Sequence, residues 1–503
     1  MRGGVEGAGT YKAWRPLWTM LQGTCLMLSL GGCLLSDKPE PGLDIPQAYS
    51  RSSANPAIAE AALPPLDWWR SFHSRELTAI VEEARAANLD IAAAIARIVQ
   101  ADAQSRIAGA PLLPNVELDA SATRSRASQS TGNGSTTSSG TVITSGGPSE
   151  RNNLQATLSA SYELDFWGKN RSALRAAEET AVASRYDREV VGLATMVTAA
   201  NAYFQVLAAQ DRLKAARENL VSANRVLGLI RQRVNAGTAS ALETAQQESL
   251  VNTQRAAIPP LEQTLTQNRN ALAVLMARSP ESVRVHGGSL RAIRVPRITP
   301  GLPSELLAQR PDIREAEAQL ATASANVENA RAQMLPSITL TGEGGYQSAV
   351  LKTLLRPESA LFSFGAGLTQ PIFDGARLQG NLDLQKGRQD ELLQNYRKAA
   401  ISGFSDVENA LDGIRQTALR ERLQGEVVTS SRRAFDISEQ RLREGTVDLV
   451  TVLQTQQTLY SAIDSAVQAR LAHLQAVVSL YQALGGGWLP KPNVLPLEAA
   501  DAR

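Results

Sequence analysis

A segment of fifteen residues occurs twice in this chain and constrains its fold more than any other feature. Residues 232–246 read QRVNAGTASALETAQ, and residues 440–454, 208 positions further on, read QRLREGTVDLVTVLQ. In both copies a helical pattern runs up to a glycine, Gly237 or Gly445, and a second helical pattern follows it. This order is typical of an antiparallel helical hairpin. A chain that forms the same hairpin twice is built from two repeats.

Each half of the chain also contains two stretches in which apolar and polar residues alternate. They cover about 115–126 and 153–166 in the first half, and about 336–346 and 361–372 in the second half. A period of two predicts strands with one wet face, and a length of about ten residues suits strands that cross a bilayer in a barrel. Each pair of strands precedes a long predicted helical hairpin, over 168–278 and over 375–484.

The amino terminus has the layout of a secretory signal. Lys12 and Arg15 precede an apolar run that ends at Leu-Gly-Gly-Cys33, which resembles the lipobox of bacterial lipoproteins. The resemblance implies a covalent lipid on Cys33, and Leu34 in place of an aspartate implies the outer membrane. An uncleaved anchor with an incidental cysteine is the alternative. Both cysteines lie in the first 33 residues, which excludes a disulfide framework and a cysteine metal site in the body.

These patterns divide the chain into six predicted parts. A signal peptide (1–32) and a lipidated tether (33–63) precede the first repeat (64–280), and an equatorial connector (281–303) leads to the second repeat (304–488) and a C-terminal tail (489–503).

Charge and motifs exclude several classes of function. The 51 basic and 49 acidic residues are nearly balanced, so no global field indicates nucleic acid as a partner. The three histidines are scattered, and the sequence contains no phosphate-binding loop, zinc-protease motif or nucleophile elbow. We therefore expect no enzymatic activity, no metal and no cofactor other than the covalent lipid.

The predicted fold class is mixed, mainly α with membrane β. Four strands are too few for a closed barrel, which needs about eight, and open edges are not tolerated in lipid. Three chains would supply twelve strands, so a homotrimer is expected; a small soluble sheet beside a coiled-coil rod is the alternative. The inward face would carry five carboxylates in each chain and favour cations: Glu117, Asp119, Glu163, Asp165 and Glu343.

Several motifs resemble those of one known family. WWRSF, QRPDIREAEAQL, LPSITLTG, QPIFDGAR, the paired Gly-Thr segments and ALGGGW are similar to the outer membrane factor family, the TolC-like channels of tripartite efflux pumps, and to its NodT-type lipoprotein branch. The resemblance covers about residues 64–488. It implies a trimeric channel with a twelve-stranded barrel in outer-membrane lipid and a long periplasmic α-helical barrel. It also implies a periplasmic adaptor and an inner-membrane transporter of the RND type as partners.

The resemblance further assigns roles to the repeated segments. Asp448 matches an acid that many members place at the periplasmic gate, whereas the first copy has Ser240 at the equivalent position. Gln454 departs from the family, where relatives often carry aspartate. An acid near a helix start, beside Thr446 as the cap, is the alternative for Asp448. The candidate adaptor contacts, which solvated helix ends would also explain, are Arg233, Asn235, Gly237, Thr238, Arg441, Glu444, Gly445 and Thr446.

The function predicted from these features is passive conduction through the outer membrane, with energy supplied by the partner transporter. Two other functions stay open at this point. One is the outer-membrane component of a type I protein secretion system, and the other is a periplasmic coiled-coil adaptor or structural lipoprotein.

Overall fold

A computed structural model describes residues 65–126, 150–296, 298 and 303–488, with positions 42, 45, 46 and 49. The predicted signal peptide, the lipid site at Cys33 and the tail from 489 lie outside the described residues. The helices are α1 (Arg75–Ala87), α2 (Leu89–Gly109), α3 (Lys169–Asn235), α4 (Ala241–Ala256), α5 (Ile258–Leu275), α6 (Pro303–Gln309), α7 (Pro311–Ala332), α8 (Arg377–Arg443) and α9 (Leu449–Ala483). The strands are β1 (Asn115–Arg126), β2 (Glu150–Leu164), β3 (Ser337–Ser348) and β4 (Ala360–Thr369).

The chain divides into two compact units. Among the described residues, the strand unit comprises Asp102–Glu179 and Leu320–Leu393, and the helical unit comprises the rest. The domain boundaries expected from the sequence stay predictions.

The strand unit contains one antiparallel sheet in the order β1-β2-β3-β4. The central pairing, from Leu154 opposite Ser348 to Leu164 opposite Ile338, joins the two repeats. Among the described residues, β1 and β4 each pair with a single neighbour and therefore form the edges of the sheet. The four predicted strands are confirmed, although β2 begins and ends earlier than the alternation indicated.

The helical unit contains most of the two longest helices, α3 and α8, which have 67 residues each. At about 1.5 Å per residue, each helix is roughly 100 Å long. An apolar window of α3 could cross a membrane by composition, but 61% of it is buried inside the protein, as expected for a core helix. The main core of this unit includes Trp68, whose ring stacks on that of Tyr481 with 5.1 Å between centroids.

A partly buried polar network links α8, α9 and the connector in the helical unit. Glu421 accepts hydrogen bonds from Arg470 at 2.9 Å and from His473 at 2.6 Å. Arg470 also donates to the carbonyls of Leu290 and Ile293. Burial alone would raise the pKa of Glu421, but the bonds from His473 and Arg470 outweigh it and hold the pKa below its usual value.

Candidate functional site

The sheet has one polar face that brings three of the predicted lumen acids together. The register places Glu117, Ser159 and Glu343 in one row across β1, β2 and β3. Asp119 lies two residues along β1 on the same face. Glu117 accepts a hydrogen bond from Asn115 Nδ2 at 2.7 Å, within the same strand. This polar face therefore carries a cluster of carboxylates that cross-strand pairing aligns.

The other two predicted lumen acids are engaged at the end of the sheet where α3 begins. Glu163 points to the polar face but forms an ion pair with Lys169 Nζ, at 2.5 and 2.7 Å from its two oxygens. Asp165 lies beyond the end of β2, and its carboxylate accepts hydrogen bonds from the backbone N–H groups of Asn170 and Arg171. The carboxylate of Asp165 therefore satisfies free N–H groups at the start of α3, and its role as a lumen acid stays a prediction.

The opposite face of the sheet is apolar and exposed. Phe362 and Phe364 are 80% and 85% exposed, and Leu118 and Leu368 on the same face are also exposed. Soluble proteins rarely leave a continuous face of this kind in water. In a membrane barrel, by contrast, the lipid-facing positions alternate with the lumen-facing ones along every strand. The sheet therefore has the two faces that a membrane barrel requires.

The repeated segments form two helical tips of identical construction. We define tip one as residues 232–240, which run from the last turn of α3 to the residue before α4. Tip two is residues 440–448, which run from the last turn of α8 to the residue before α9. In tip one the N–H of Thr238 donates to Arg233 O at 2.8 Å, and the N–H of Gly237 donates to Val234 O at 2.9 Å.

Tip two repeats both bonds of tip one, from Thr446 to Arg441 O at 2.9 Å and from Gly445 to Leu442 O at 3.2 Å. This pattern is the Schellman helix end, which requires a left-handed residue at the glycine. Gly237 and Gly445 have φ values of +74° and +75°. The threonine hydroxyls donate to the same arginine carbonyls, at 3.1 and 3.2 Å, which explains why both copies contain Gly-Thr.

Asp448 caps the helix that follows tip two. Its carboxylate accepts a hydrogen bond from Thr451 N–H at 2.9 Å, and the hydrogen bonds from Thr451 lower the pKa of Asp448. Ser240 occupies the equivalent place in tip one and accepts from Glu243 N–H at 3.3 Å. Thr446 is not the cap, because its hydroxyl donates backward to Arg441 O. Asp448 is exposed, so capping leaves its charge open to solvent and to neighbouring molecules.

The remaining tip residues differ in what they contact. Arg233 is half-buried and donates to the carbonyls of Leu442, at 3.2 Å, and Thr238, at 3.4 Å, so it links tip one to tip two. Glu444 is exposed and accepts from Gln440 at 2.9 Å. Asn235 and Arg441 are exposed at the ends of α3 and α8. Arg441, Glu444 and Asn235 are thus exposed, whereas Arg233 is half-buried.

An ion pair near the tips was not predicted from the sequence. Glu439 on α8 is 5% exposed and accepts from Arg225 Nη2 on α3 at 2.7 Å and from Arg443 Nη2 at 2.6 Å. It sits beside an apolar cluster that contains Ile230 and Phe435. A sequence signal existed, because Glu439 falls between Phe435 and Leu442 on the apolar stripe of α8.

A sheet with one polar and one exposed apolar face, joined to long helical hairpins, defines a class of protein: an outer-membrane channel with the TolC-like fold. The solved structure of a membrane protein from Pseudomonas aeruginosa aligns with a TM-score of 0.81 and 28% identity, and the match covers 92% of this chain and 100% of that one. The chain belongs to the outer membrane efflux protein family, whose model matches residues 80–278 and 302–486.

Two relatives illustrate the range of the family. The chain is 41% identical over 463 residues to the pyoverdine export outer membrane protein OpmQ of Pseudomonas putida, covering 92% of this chain and 96% of the relative. It is 29% identical over 474 residues to the cation efflux system protein CusC of Escherichia coli O6:H1, covering 92% and 98%. The protein is an outer-membrane efflux channel that extends into the periplasm, as predicted, and its relatives are channels rather than enzymes. Membership of the NodT-type branch stays a prediction.

Proposed function

We propose that the protein is the exit duct of a tripartite efflux system and that it works as a homotrimer. The observation that carries this proposal is the four-stranded sheet, which has an exposed apolar face and two edges without partners among the described residues. In lipid every backbone polar group has to be paired inside the protein, so such edges have to meet other strands. Three copies supply twelve strands, enough to close a barrel.

In this trimer the polar face lines the lumen and the apolar face meets lipid. Glu117 and Glu343 of this row are repeated in each copy and give the lumen six carboxylates, with Asp119 close to Glu117. Negative charges that line a pore attract cations and repel anions. We therefore expect cation preference, and reversal potentials in planar bilayers that indicate anion preference would rule out this arrangement.

The tips form the periplasmic entrance in this proposal. Asp448 is exposed in tip two and tip one has Ser240 there, so the trimer would place three carboxylates around the opening. The accessible side chains Arg441, Glu444 and Asn235 would contact the periplasmic adaptor. The inner-membrane transporter, of the RND type by family resemblance, supplies the energy, and a lipid on Cys33 anchors the chain.

The duct itself does not select the cargo. The relatives described above are named for pyoverdine export and for cation efflux, two chemically different cargoes. Similar channels with different cargoes support a wide polar passage that contacts each cargo little. The cargo of this protein then depends on the transporter with which it assembles.

The test is the stoichiometry and conductance of the purified full-length protein. Native mass spectrometry in a non-denaturing detergent should give three chains per particle, and the same preparation should form ion-conducting channels in planar bilayers. A particle with one chain, or trimers that never conduct under any applied potential, would refute the proposed duct.

A further inference from the structure

The two ends of the sheet connect to different parts of the chain. α2, α3, α7 and α8 connect to the strands at one end, where Leu164 pairs with Ile338. The other end carries the connection from β1 to β2 and the turn from β3 to β4. Because the helices of this family extend into the periplasm, the second end faces the outside of the cell. It therefore lies at the outer leaflet of the membrane.

The apolar face has the height of a membrane. On β2 its side chains run from Leu164 to Leu154, every second residue of an eleven-residue stretch. Ten steps of about 3.4 Å cover roughly 34 Å of strand, and a tilt of about 45° reduces this to roughly 24 Å along the membrane normal. The apolar band of outer-membrane barrels is about 25 Å high. At the helical end, exposed Trp167 and Phe373 suit the interface with the inner leaflet.

Basic residues begin where this apolar band ends. Arg124 pairs with Asn152, two residues beyond Leu154, and Arg126 follows on the same face of β1. The turn from β3 to β4 adds Lys352 and Arg356, which are exposed. We call these four basic residues the outer rim.

Two exposed leucines lie next to basic residues of the outer rim. Leu351 and Leu355, beside Lys352 and Arg356, are 73% and 78% exposed. Two acids lie at this end among the described residues: Glu150, which pairs with Arg124, and Glu358. The four basic residues therefore leave a net positive charge at the level where lipid headgroups begin.

We propose that the outer rim binds the phosphate groups of the anionic glycolipid, lipopolysaccharide, that forms the outer leaflet. This inference rests on the proposed barrel, because it requires the apolar face to meet lipid. Arginine binds phosphate through two parallel hydrogen bonds, and lysine binds it as a point charge. The leucines contact the upper parts of the acyl chains, next to the phosphates. Phospholipid headgroups of the inner leaflet lie at the opposite end of the apolar band and do not reach the outer rim.

A matched pair of substitutions tests the outer rim. Arg126→Gln removes one charge from the lipid-facing side of β1, whereas Arg151→Gln removes one from the lumen-facing side of β2 at the same end. Binding of purified lipopolysaccharide to the full-length protein in detergent is measured by surface plasmon resonance. One basic residue near an anionic lipid surface contributes about a fivefold factor in affinity. We expect about fivefold weaker binding for Arg126→Gln and no change for Arg151→Gln.

Further measurements identify the lipid and separate the two proposals. The variant with all four outer-rim residues changed to glutamine should lose most binding, and enzymatically dephosphorylated lipopolysaccharide should bind the unmodified protein weakly. Equal effects of Arg126→Gln and Arg151→Gln, or full binding by the fourfold variant, would overturn the proposal that the outer rim binds lipopolysaccharide. Equally tight, rim-dependent binding of vesicles of phosphatidylethanolamine and phosphatidylglycerol would overturn the assignment to lipopolysaccharide. Stoichiometry and conductance of each variant report on the duct, so its failure is distinguishable from that of the outer rim.

Discussion

Replacing Glu439 by glutamine should loosen the contact between the two helical hairpins near their tips. Glu439 is nearly buried and shared by Arg225, which comes from the first hairpin, and Arg443, which comes from its own helix. Glutamine keeps the size of the side chain and one hydrogen-bond acceptor but removes the charge. The substitution therefore removes the ion pair and leaves the packing of Phe435 and Ile230 in place.

The size of the effect follows from the geometry of the two contacts. A hydrogen bond to a charged group contributes about 1.5–3 kcal/mol, but the Arg225 side chain is 56% exposed, so solvent screening reduces this value. The pair of Arg443 with Glu439 lies within one helix and contributes about 0.3–0.5 kcal/mol. About 1–2 kcal/mol then holds the hairpins together through Arg225 and Glu439. If opening of the tips separates the hairpins, the ratio of open to closed channels should rise roughly 5- to 30-fold.

Single-channel recording in planar bilayers measures this ratio directly. Glu439→Gln and Arg225→Gln should each increase the fraction of time in the conducting state, and the double variant should exceed neither by much, because both remove the same contact. Arg443→Gln is the control, since it breaks only the bond within α8 and should change the ratio less than about twofold. Independent, additive effects of the two single changes, or no effect from either, would refute the assignment of this pair to the closed state.

Three further predictions address other parts of the channel. Asp448→Ser keeps a helix cap of the kind that Ser240 provides but removes the charge, whereas Asp448→Ala removes both the cap and the charge. Calcium block of the closed trimer should weaken in both variants if the charge forms the gate, and weakening in the alanine variant alone would assign Asp448 to capping. Glu421→Gln should lower the thermal midpoint at neutral pH. Because the pKa of Glu421 is depressed in the folded protein, this difference should vanish as the pH falls through that lowered pKa, and a difference that persists in acid would contradict the ion-paired network. A photo-crosslinking residue in place of exposed Arg441 should capture the adaptor more efficiently than one in place of Arg233, which links the two tips; equal yields would count against an adaptor contact at Arg441.

Local patterns allowed the main elements to be predicted from the sequence. Strand alternation has a period of two and depends on neighbours within a few residues, so β1 and β3 begin within a residue of the expected positions. The tips were predictable for the same reason, because a Schellman end needs only a glycine and its flanking carbonyls. The class of protein followed from combining the strands with the motifs of the family.

Other features could not be predicted because they depend on competing partners or on distant residues. Asp165 fits the alternation of β2, yet it lies beyond the end of the strand, and its carboxylate accepts hydrogen bonds from two N–H groups at the start of the next helix. Asp448 is suited both to a gate and to a cap, and residue type alone does not separate the two roles. Arg225 and Glu439 are 214 positions apart, so no local sequence pattern predicts their pairing.

The two free edges of the sheet also have a consequence for genetics. One edge, β1, belongs to the first repeat and the other, β4, to the second, so in the proposed trimer each protomer is joined to both neighbours by different strands. A chain with a damaged edge strand would then disable every ring that it enters. In a cell that makes equal amounts of normal and damaged chains, roughly one ring in eight would contain three normal copies. Edge-strand alleles should therefore be dominant over the normal gene, whereas alleles that affect only the cargo passage of one protomer should be recessive.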